Sequence, residues 1–397
     1  MIRRPDYINT ILPYVDSPLV KILSGVRRCG KSTILEMMKE ELLSRGVEAQ
    51  NIIGRNYDSA EYGDDFSSKD MFADLKTSID GKSRCYLFLD ELQEVNGWEK
   101  VVNTLIESAD VDIYVTGSNS KLMSSEISTY LSGRYVSIPV YTLSLREYMV
   151  FKDSEDRYSA LENYLQFGGF PIIGISRFDA RSAYQIVDDI YTSVVTRDIS
   201  SRHKIRNKAL FDRVVRFIIE NVGKTFSANS IVSFLKGENR SLSVETIYNY
   251  LKWLQEAFII YPCRRYDLQG KAVLKTQEKY YLSDISLKYG QMGFDNKMIA
   301  AMLENIVFLE MKRRGYEVYI GKIGAREIDF IGILRDEKVY VQVCRTLPEN
   351  SGRETENLKE IRDHYHKYVV ALDNFAIGND EGIVFIHIAD FLLMDRW

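Results

Sequence analysis

Gly25-Val26-Arg27-Arg28-Cys29-Gly30-Lys31-Ser32 has the spacing G-x-x-x-x-G-K-[ST]. It follows the apolar run Leu19-Val20-Lys21-Ile22-Leu23 and precedes Ile34, Leu35, Met38, Leu42 and Leu43, which recur at helical spacing. A strand that turns through glycines into a helix suits an anion, because backbone N–H groups curl around it and the helix N-terminus favours negative charge. Gly25, Val26, Arg27, Arg28, Cys29, Gly30, Lys31, Ser32 and Thr33 are therefore the expected contacts of ATP. Lys31 would reach the β- and γ-phosphates, and Ser32 would hold magnesium. The competing reading is a plain glycine turn; the strand before it and the helix after it argue against that.

Working outward, strands are expected at Asn51–Tyr57, Cys85–Asp90, Val111–Thr116 and Tyr135–Val140, with helices at Ser68–Ile79 and Trp98–Ser108 between them. Such alternation predicts a mainly parallel sheet covered on both faces. Tyr86-Leu87-Phe88-Leu89 ends in Asp90 and Glu91. Asp90 at the strand tip can hold magnesium, and Glu91 can orient or deprotonate the attacking water. A third strand ends Thr116-Gly117-Ser118-Asn119. Asn119 either polarises the water or caps the next helix. Arg134, in Leu131-Ser132-Gly133-Arg134, either stabilises phosphoryl charge or forms a surface ion pair.

From about residue 145 to 205 the pattern turns helical, broken at Phe167-Gly168-Gly169-Phe170-Pro171. Residues 206–285 then read as three helices and a hairpin, the pattern of a winged helix. The helices run near Lys208–Asn221, after Ser227, and from about Ser243; the hairpin joins Ile259–Tyr266 to Lys279–Leu282. Residues 201–285 carry 15 Lys+Arg against 8 Asp+Glu, between two acidic flanks, which makes this stretch a candidate polyanion-binding segment. Asn249, Lys252 and Gln255 face away from the apolar stripe of the third helix, and Arg264, Arg265, Lys271, Lys275 and Lys279 lie on the hairpin. Glu245 on the same helix opposes phosphate, so docking of a protein stands as the alternative to double-stranded DNA.

Taken together, these residues resemble the bacterial and archaeal AAA+-type P-loop ATPases that end in a C-terminal domain of unknown function. The matching pieces are the Gly25–Thr33 loop, Asp90-Glu91-Leu92-Gln93 with Trp98, Thr116-Gly117-Ser118 and Leu131-Ser132-Gly133-Arg134. Gly168-Gly169-Phe170-Pro171, Arg197-Asp198-Ile199, Lys279-Tyr280-Tyr281, Glu304-Asn305, Arg314-Gly315-Tyr316 and Glu327-Ile328-Asp329-Phe330 extend the match. The resemblance implies an added strand between the two Walker motifs. It also implies Glu91 as catalytic glutamate, Asn119 at the sensor 1 position, Arg134 at the arginine-finger position and Arg197 acting from a helical lid. It further implies a tail like the PD-(D/E)XK nucleases, with Glu304, Glu327, Asp329 and Gln342 as its site. Where an active enzyme would show Glu-x-Lys, this chain has Gln342-Val343-Cys344, so the site reads as degenerate and cleavage is not expected.

The expected fold class is thus α/β: a P-loop NTPase parallel sheet with a helical lid, a winged-helix domain, and a small α/β nuclease-like domain. The expected boundaries are 1–145, 146–205, 206–285 and 286–397. A chain of 397 residues suits two to four domains. No apolar run reaches the roughly 18 residues of a membrane span. The start, Met1-Ile2-Arg3-Arg4-Pro5-Asp6, lacks a signal-peptide core. Cys29, Cys85, Cys263 and Cys344 have no paired spacing, which fits a reducing cytoplasm. The expected ligands are ATP and magnesium. The expected partners are double-stranded DNA or a protein, and a second copy of the chain if Arg134 acts across a subunit boundary.

Overall fold

The computed structural model describes residues 2–63, 65–119, 130, 131, 133–237, 240, 242–270, 272–324, 326–346, 352–373 and 378–397, with backbone alone at 274–277 and 352–354. The chain forms two compact units, 1–140 with 256–258, and 141–255 with 259–397.

In the first unit, five strands lie parallel: β1 (Val20–Ser24), β2 (Ile52–Asn56), β3 (Cys85–Asp90), β4 (Val111–Gly117) and β5 (Tyr135–Pro139). Their order is β2-β3-β4-β1-β5, so β4 stands between the two strands that carry the phosphate loop and the paired acids, as the resemblance implies. Strand β1 is buried along its whole length and β3 up to its last residue, which is why both read as continuous apolar runs. Helices α1 (Pro5–Ile11), α2 (Lys31–Ser44), α3 (Ser68–Ile79) and α4 (Trp98–Ser108) accompany the sheet. A capping box between Ser67 and Asp70 starts α3. Trp98, Val102 and Leu105 of α4 pack with Met71 and Leu75 of α3 against Leu87, Leu89 and Val115.

One charged side chain enters this core. Lys21, in the middle of the apolar run, is fully buried and paired with the equally buried Asp112 of β4. Asp112 also accepts from the Tyr114 hydroxyl at 2.9 Å and from the Asp16 amide at 2.9 Å. Burial lowers the Lys21 ammonium from its ordinary pKa, against the opposing pull of Asp112.

The second unit opens with helices at Leu145–Lys152, Arg157–Phe167, Pro171–Ile175 and Ala180–Ser193, the last continuing into a π-helical segment, Val194–Ser200. The Gly168-Gly169 break has a local cause. A Cβ on Gly168 would stand 2.1 Å from Asp284 Oδ1, and Gly169 N–H donates to Asp284 Oδ2 at 2.8 Å. The pair of glycines is where a buried carboxylate meets backbone.

Three helices follow at Lys208–Glu220, Ala228–Gly237 and Val244–Glu256. Ser227 and Ser243 accept from the amides three residues on, at 3.1 Å each, as helix-starting residues do. The hairpin differs from the sequence expectation. Its strands β6 (Ile260–Asp267) and β7 (Ala272–Leu282) are not a separate wing. They end an eight-stranded sheet with β8 (Glu317–Ile323), β9 (Arg326–Leu334), β10 (Glu337–Cys344), β11 (His366–Ala371), β12 (Gly378–Asp380) and β13 (Ile383–His387), in the order β12-β13-β11-β10-β9-β8-β6-β7. The junction is the parallel pairing of β6 with β8, in which Arg264 stands opposite Tyr319. The sheet therefore runs across the expected boundary at 285/286. Among the described residues, no helix is long and apolar enough to cross a membrane.

Replacing Asp112 by Ala would strand the Lys21 ammonium in the core. Thermal or denaturant unfolding is expected to show a loss of about 3–5 kcal/mol. Arg84→Ala, which removes an ion pair to Asp16 at the partly exposed rim of the same network, is expected to cost at most about 1 kcal/mol.

Candidate functional site

The phosphate loop lies between β1 and α2. Arg28 and Gly30 adopt left-handed backbone, with φ of 68° and 103°. Gly25 has no room for a side chain, since a Cβ would meet the Val140 carbonyl oxygen at 2.1 Å. Lys31 is buried, and its Nζ donates to the Gly25 and Val26 carbonyls at 2.9 and 3.2 Å, bending the side chain back over its own loop. Helix α2 begins at Gly30 with no side-chain cap, which leaves its first amides to the loop. Val26 and Cys29 are buried supports, and burial raises the Cys29 thiol from its ordinary pKa. Ser32, Thr33 and Arg28 are exposed. Arg27 faces Asp58 at 3.6 Å. This cradle, with its glycine corners and buried lysine, fits the phosphates of a nucleoside triphosphate.

Asp90 ends β3 beside β4. The Thr116 hydroxyl donates to Asp90 Oδ1 and accepts from the Glu91 amide at 3.0 Å. Asp90 is also hydrogen-bonded to the Ser32 side chain; burial nonetheless holds its carboxyl above the ordinary range. Ser32 and Asp90, brought together from α2 and β3, are oxygen donors that suit magnesium. Glu91 takes left-handed backbone, φ 50°, which turns its side chain off the strand line. Burial would raise the Glu91 carboxyl, but Lys31, Gln93, Arg27 and Ser118 together hold it below its ordinary value. Gln93 Nε2 donates to Glu91 Oε2. A carboxylate kept ionised beside a phosphate cradle can take a proton from water. Asn119, fully buried, follows β4 at this same end of the sheet. The helix it was alternatively expected to cap lies outside the described residues.

Thr116, Ser118 and Gln93 received no role from sequence. Their signal was weak, because a hydroxyl on a neighbouring strand becomes relevant only once the β3–β4 register, Leu89 opposite Val115, is known.

Arg134 lies elsewhere. Its carbonyl accepts from Val20 N–H at the beginning of β1, whereas the phosphate loop follows the end of that strand, about 16 Å away by strand rise. Its guanidinium pairs with Glu107 at 3.2 Å and is half-exposed. The structure does not bring it to the loop of its own chain.

A glycine-cornered loop between a buried strand and a helix, with paired acids two strands away, defines a P-loop protein of the AAA type. A family model described as an AAA domain matches residues 17–149, and another described as a domain of unknown function matches 158–297. The chain is 37% identical over 398 residues to an uncharacterized protein of Haemophilus influenzae, covering 99% of each. It is 30% identical over 397 residues to an uncharacterized protein of Methanocaldococcus jannaschii, covering 94% of this chain and 85% of that one. Among solved structures, it is similar to a Walker-type ATPase of Pyrococcus abyssi, with a TM-score of 0.51 and 14% identity over 73% of this chain and 95% of that one. The chain belongs to one family with the Haemophilus and Methanocaldococcus proteins, and its residues 17–149 form an AAA-type P-loop domain.

On the helix Val244–Glu256, Glu245, Tyr248, Asn249 and Lys252 are exposed, and Gln255 is half-buried. Tyr248, 59% exposed, is a surface aromatic that has no role in the sequence reading. Arg264 is exposed, with Glu278 at 3.5 Å. Arg265 is not a free hairpin cation as expected, because it points inward and pairs with Glu327 at 3.0 Å. Lys271 and the Lys275 side chain lie outside the described residues.

Lys279 also points inward. Its Nζ lies 2.7 Å from Glu327 Oε1 and 3.8 Å from Glu304 Oε2. The Tyr281 hydroxyl donates to Glu304 Oε2 at 3.0 Å. Asp329 accepts from Val343 N–H at 2.8 Å, and its own amide donates to Gln342 Oε1 at 3.3 Å. The four residues of the expected degenerate site do converge, but around two basic side chains supplied by the hairpin. Among the described residues, no group of three or more His, Cys, Asp and Glu is disposed to hold a metal ion. The ammonium of Lys279 stands between Glu304 and Glu327 instead.

Burial, reinforced by Glu304 and opposed by Lys279, pushes the Asp329 carboxyl up to about 8. The folded chain then keeps a proton that the unfolded chain has released above its ordinary carboxylate pKa of about 4. Stability from this group is full below about pH 4 and is lost as pH rises through about 8. Asp329→Asn is expected to flatten the plot of Tm against pH across that window relative to wild type.

Proposed function

We propose that the chain hydrolyses ATP at residues 25–33, and that its nucleotide state governs the binding of duplex DNA by the winged-helix stretch, residues 206–285. The observation that carries this reading is the Thr116 bridge, which ties Asp90 and the backbone of Glu91 together next to the buried Lys31.

In this reading Gly25, Val26, Arg27, Arg28, Cys29, Gly30, Lys31, Ser32 and Thr33 enclose the phosphates. Ser32 and Asp90 would hold magnesium, which when bound supplies positive charge to the phosphate oxygens. Glu91 accepts the proton of the attacking water. Gln93 and Ser118 hold its carboxylate, and Asn119 helps to orient the water. Lys31 exchanges its bonds to the Gly25 and Val26 carbonyls for phosphate oxygens. Arg134, so far from the loop along β1, can serve only a neighbouring copy, so full activity requires a homo-oligomer.

For DNA, Asn249 and Lys252 would face the major groove with Tyr248 beside them, and Gln255 and Arg264 would flank them. A protein partner is the second reading. Glu245 on the same face favours it, as does the loss of Arg265 and Lys279 to internal ion pairs. The C-terminal sheet serves as a frame in either case, with its acids neutralised from within.

Phosphate release from ATP would be measured for wild type and Glu91→Gln, each with and without duplex DNA over a range of salt. Glu91→Gln is expected to lower release by about 10²–10⁴-fold, DNA to raise the wild-type rate, and DNA affinity to fall steeply with salt. Wild type that releases no phosphate under any of these conditions overturns the ATPase reading. Release that needs Glu91 but ignores DNA, with no salt-dependent DNA binding, replaces DNA by a protein partner.

A further inference from the structure

Arg4 is 2% exposed, although it stands only four residues into the chain. Pro5 follows it and opens α1, so Arg4, at φ −116° and ψ 77°, stands just before the helix rather than in it. The guanidinium lies over the Tyr7 ring, 4.5 Å from its centroid. Its Nη1 donates to the carbonyl oxygen of Cys29 at 2.9 Å. Cys29 is the residue before Gly30, inside the phosphate loop.

The consequence follows from the planarity of the peptide. Across a trans bond the C=O of one residue and the N–H of the next point in opposite directions. Fixing the Cys29 carbonyl toward Arg4 therefore fixes the Gly30 N–H toward the opposite side of the loop. Gly30 does not enforce this orientation itself. With no Cβ it accepts φ on either side of zero, so the Cys29–Gly30 peptide can turn over at little steric cost. A turned peptide would present a carbonyl oxygen where a phosphate oxygen must sit. A buried guanidinium, charged at every accessible pH, holds the carbonyl back with a charge-assisted bond.

We propose that Arg4 is a positioning residue of the nucleotide site: it selects the orientation of the Cys29–Gly30 peptide that offers an N–H, not a carbonyl, to the phosphates. The inference rests on the ATP reading of the loop. A backbone donor to the bound phosphates serves substrate and transition state alike, so its loss raises KM and spares kcat.

The test compares wild type, Arg4→Ala and Arg4→Lys, with fluorescent ATP and ADP titrations, steady-state ATP hydrolysis and Tm. Arg4→Ala is expected to weaken both nucleotides about ten- to a hundredfold, from the size of a hydrogen bond to a charged group. KM should rise alike, with kcat at saturation little changed. Arg4→Lys, which keeps the charge and loses the planar fork, should recover only part. Guanidinium ion, at a concentration that leaves Tm unchanged, should tighten binding to Arg4→Ala and not to wild type. If Arg4→Ala is folded and binds as wild type, or loses kcat without KM, the inference is overturned. If Arg4→Ala does not fold, Arg4→Lys decides: wild-type affinity overturns the proposal, and weakened binding in a folded variant supports it. If wild type itself binds no nucleotide, it is the ATP reading that fails.

Discussion

The pairing of β3 with β4 sets one hydroxyl between two acids, and the chemistry of the first unit depends on that contact. Thr116 has one proton to give and lone pairs to receive. It gives the proton to Asp90 and receives the Glu91 amide. Both bonds are satisfied only when the two strands end level, so the register that buries Leu89 and Val115 also sets the acids. The left-handed turn at Glu91 then carries its carboxylate off the strand toward the influence of Lys31 and Ser118. Packing and site geometry are one constraint here, read at two distances from the core.

The phosphate loop depends on a similar economy of contacts. Lys31 is held by two carbonyls of its own loop, and a third loop carbonyl is held by Arg4. Carbonyls are the wrong polarity for an anion. Turning three of them toward buried cations leaves the amides as the loop's free polarity. Gly25, crowded by the Val140 carbonyl, and Gly30, at φ 103°, let the chain curl that tightly.

The core of the first unit was legible because parallel strands covered on both faces must be apolar throughout, and a cradle for phosphate must have glycines at fixed spacing. Cys85–Asp90, Ser68–Ile79 and Trp98–Ser108 fall where the sequence reading puts them. What escaped is non-local. Lys21 reads as a member of an apolar strand, and its partner Asp112, 91 positions away, is seen only in the fold. Whether Arg134 can serve the phosphate loop of its own chain is settled only by its place at the far end of β1. The strand Ile383–His387 and the helix Ile388–Leu393 were not read at all, because each is short and its apolar face is defined by β11 and its surroundings rather than by periodicity.

The hairpin shows most clearly how a basic count misleads. By sequence, Arg264, Arg265 and Lys279 add to one positive wing. In the fold, alternation along β6 sends Arg264 outward and Arg265 inward, and β7 turns Lys279 the same inward way. Two of the three charges are spent on Glu327 and Glu304 before any partner arrives. The hairpin is thus bound to the C-terminal sheet by electrostatics as well as by the β6–β8 ladder. Deleting the acids would free the lysine but leave a buried ammonium, and deleting the lysine would leave Glu304 and Glu327 without it beside the Asp329 carboxyl. Each half of the cluster thus compensates the charge of the other. The surface left to meet a partner is then smaller and more mixed: Tyr248, Asn249, Lys252 and Arg264, with Glu245 and Glu278 among them. Under the proposed reading, such a surface would combine shape and hydrogen bonding with charge, with the helix Val244–Glu256 at its centre and the hairpin as its rim.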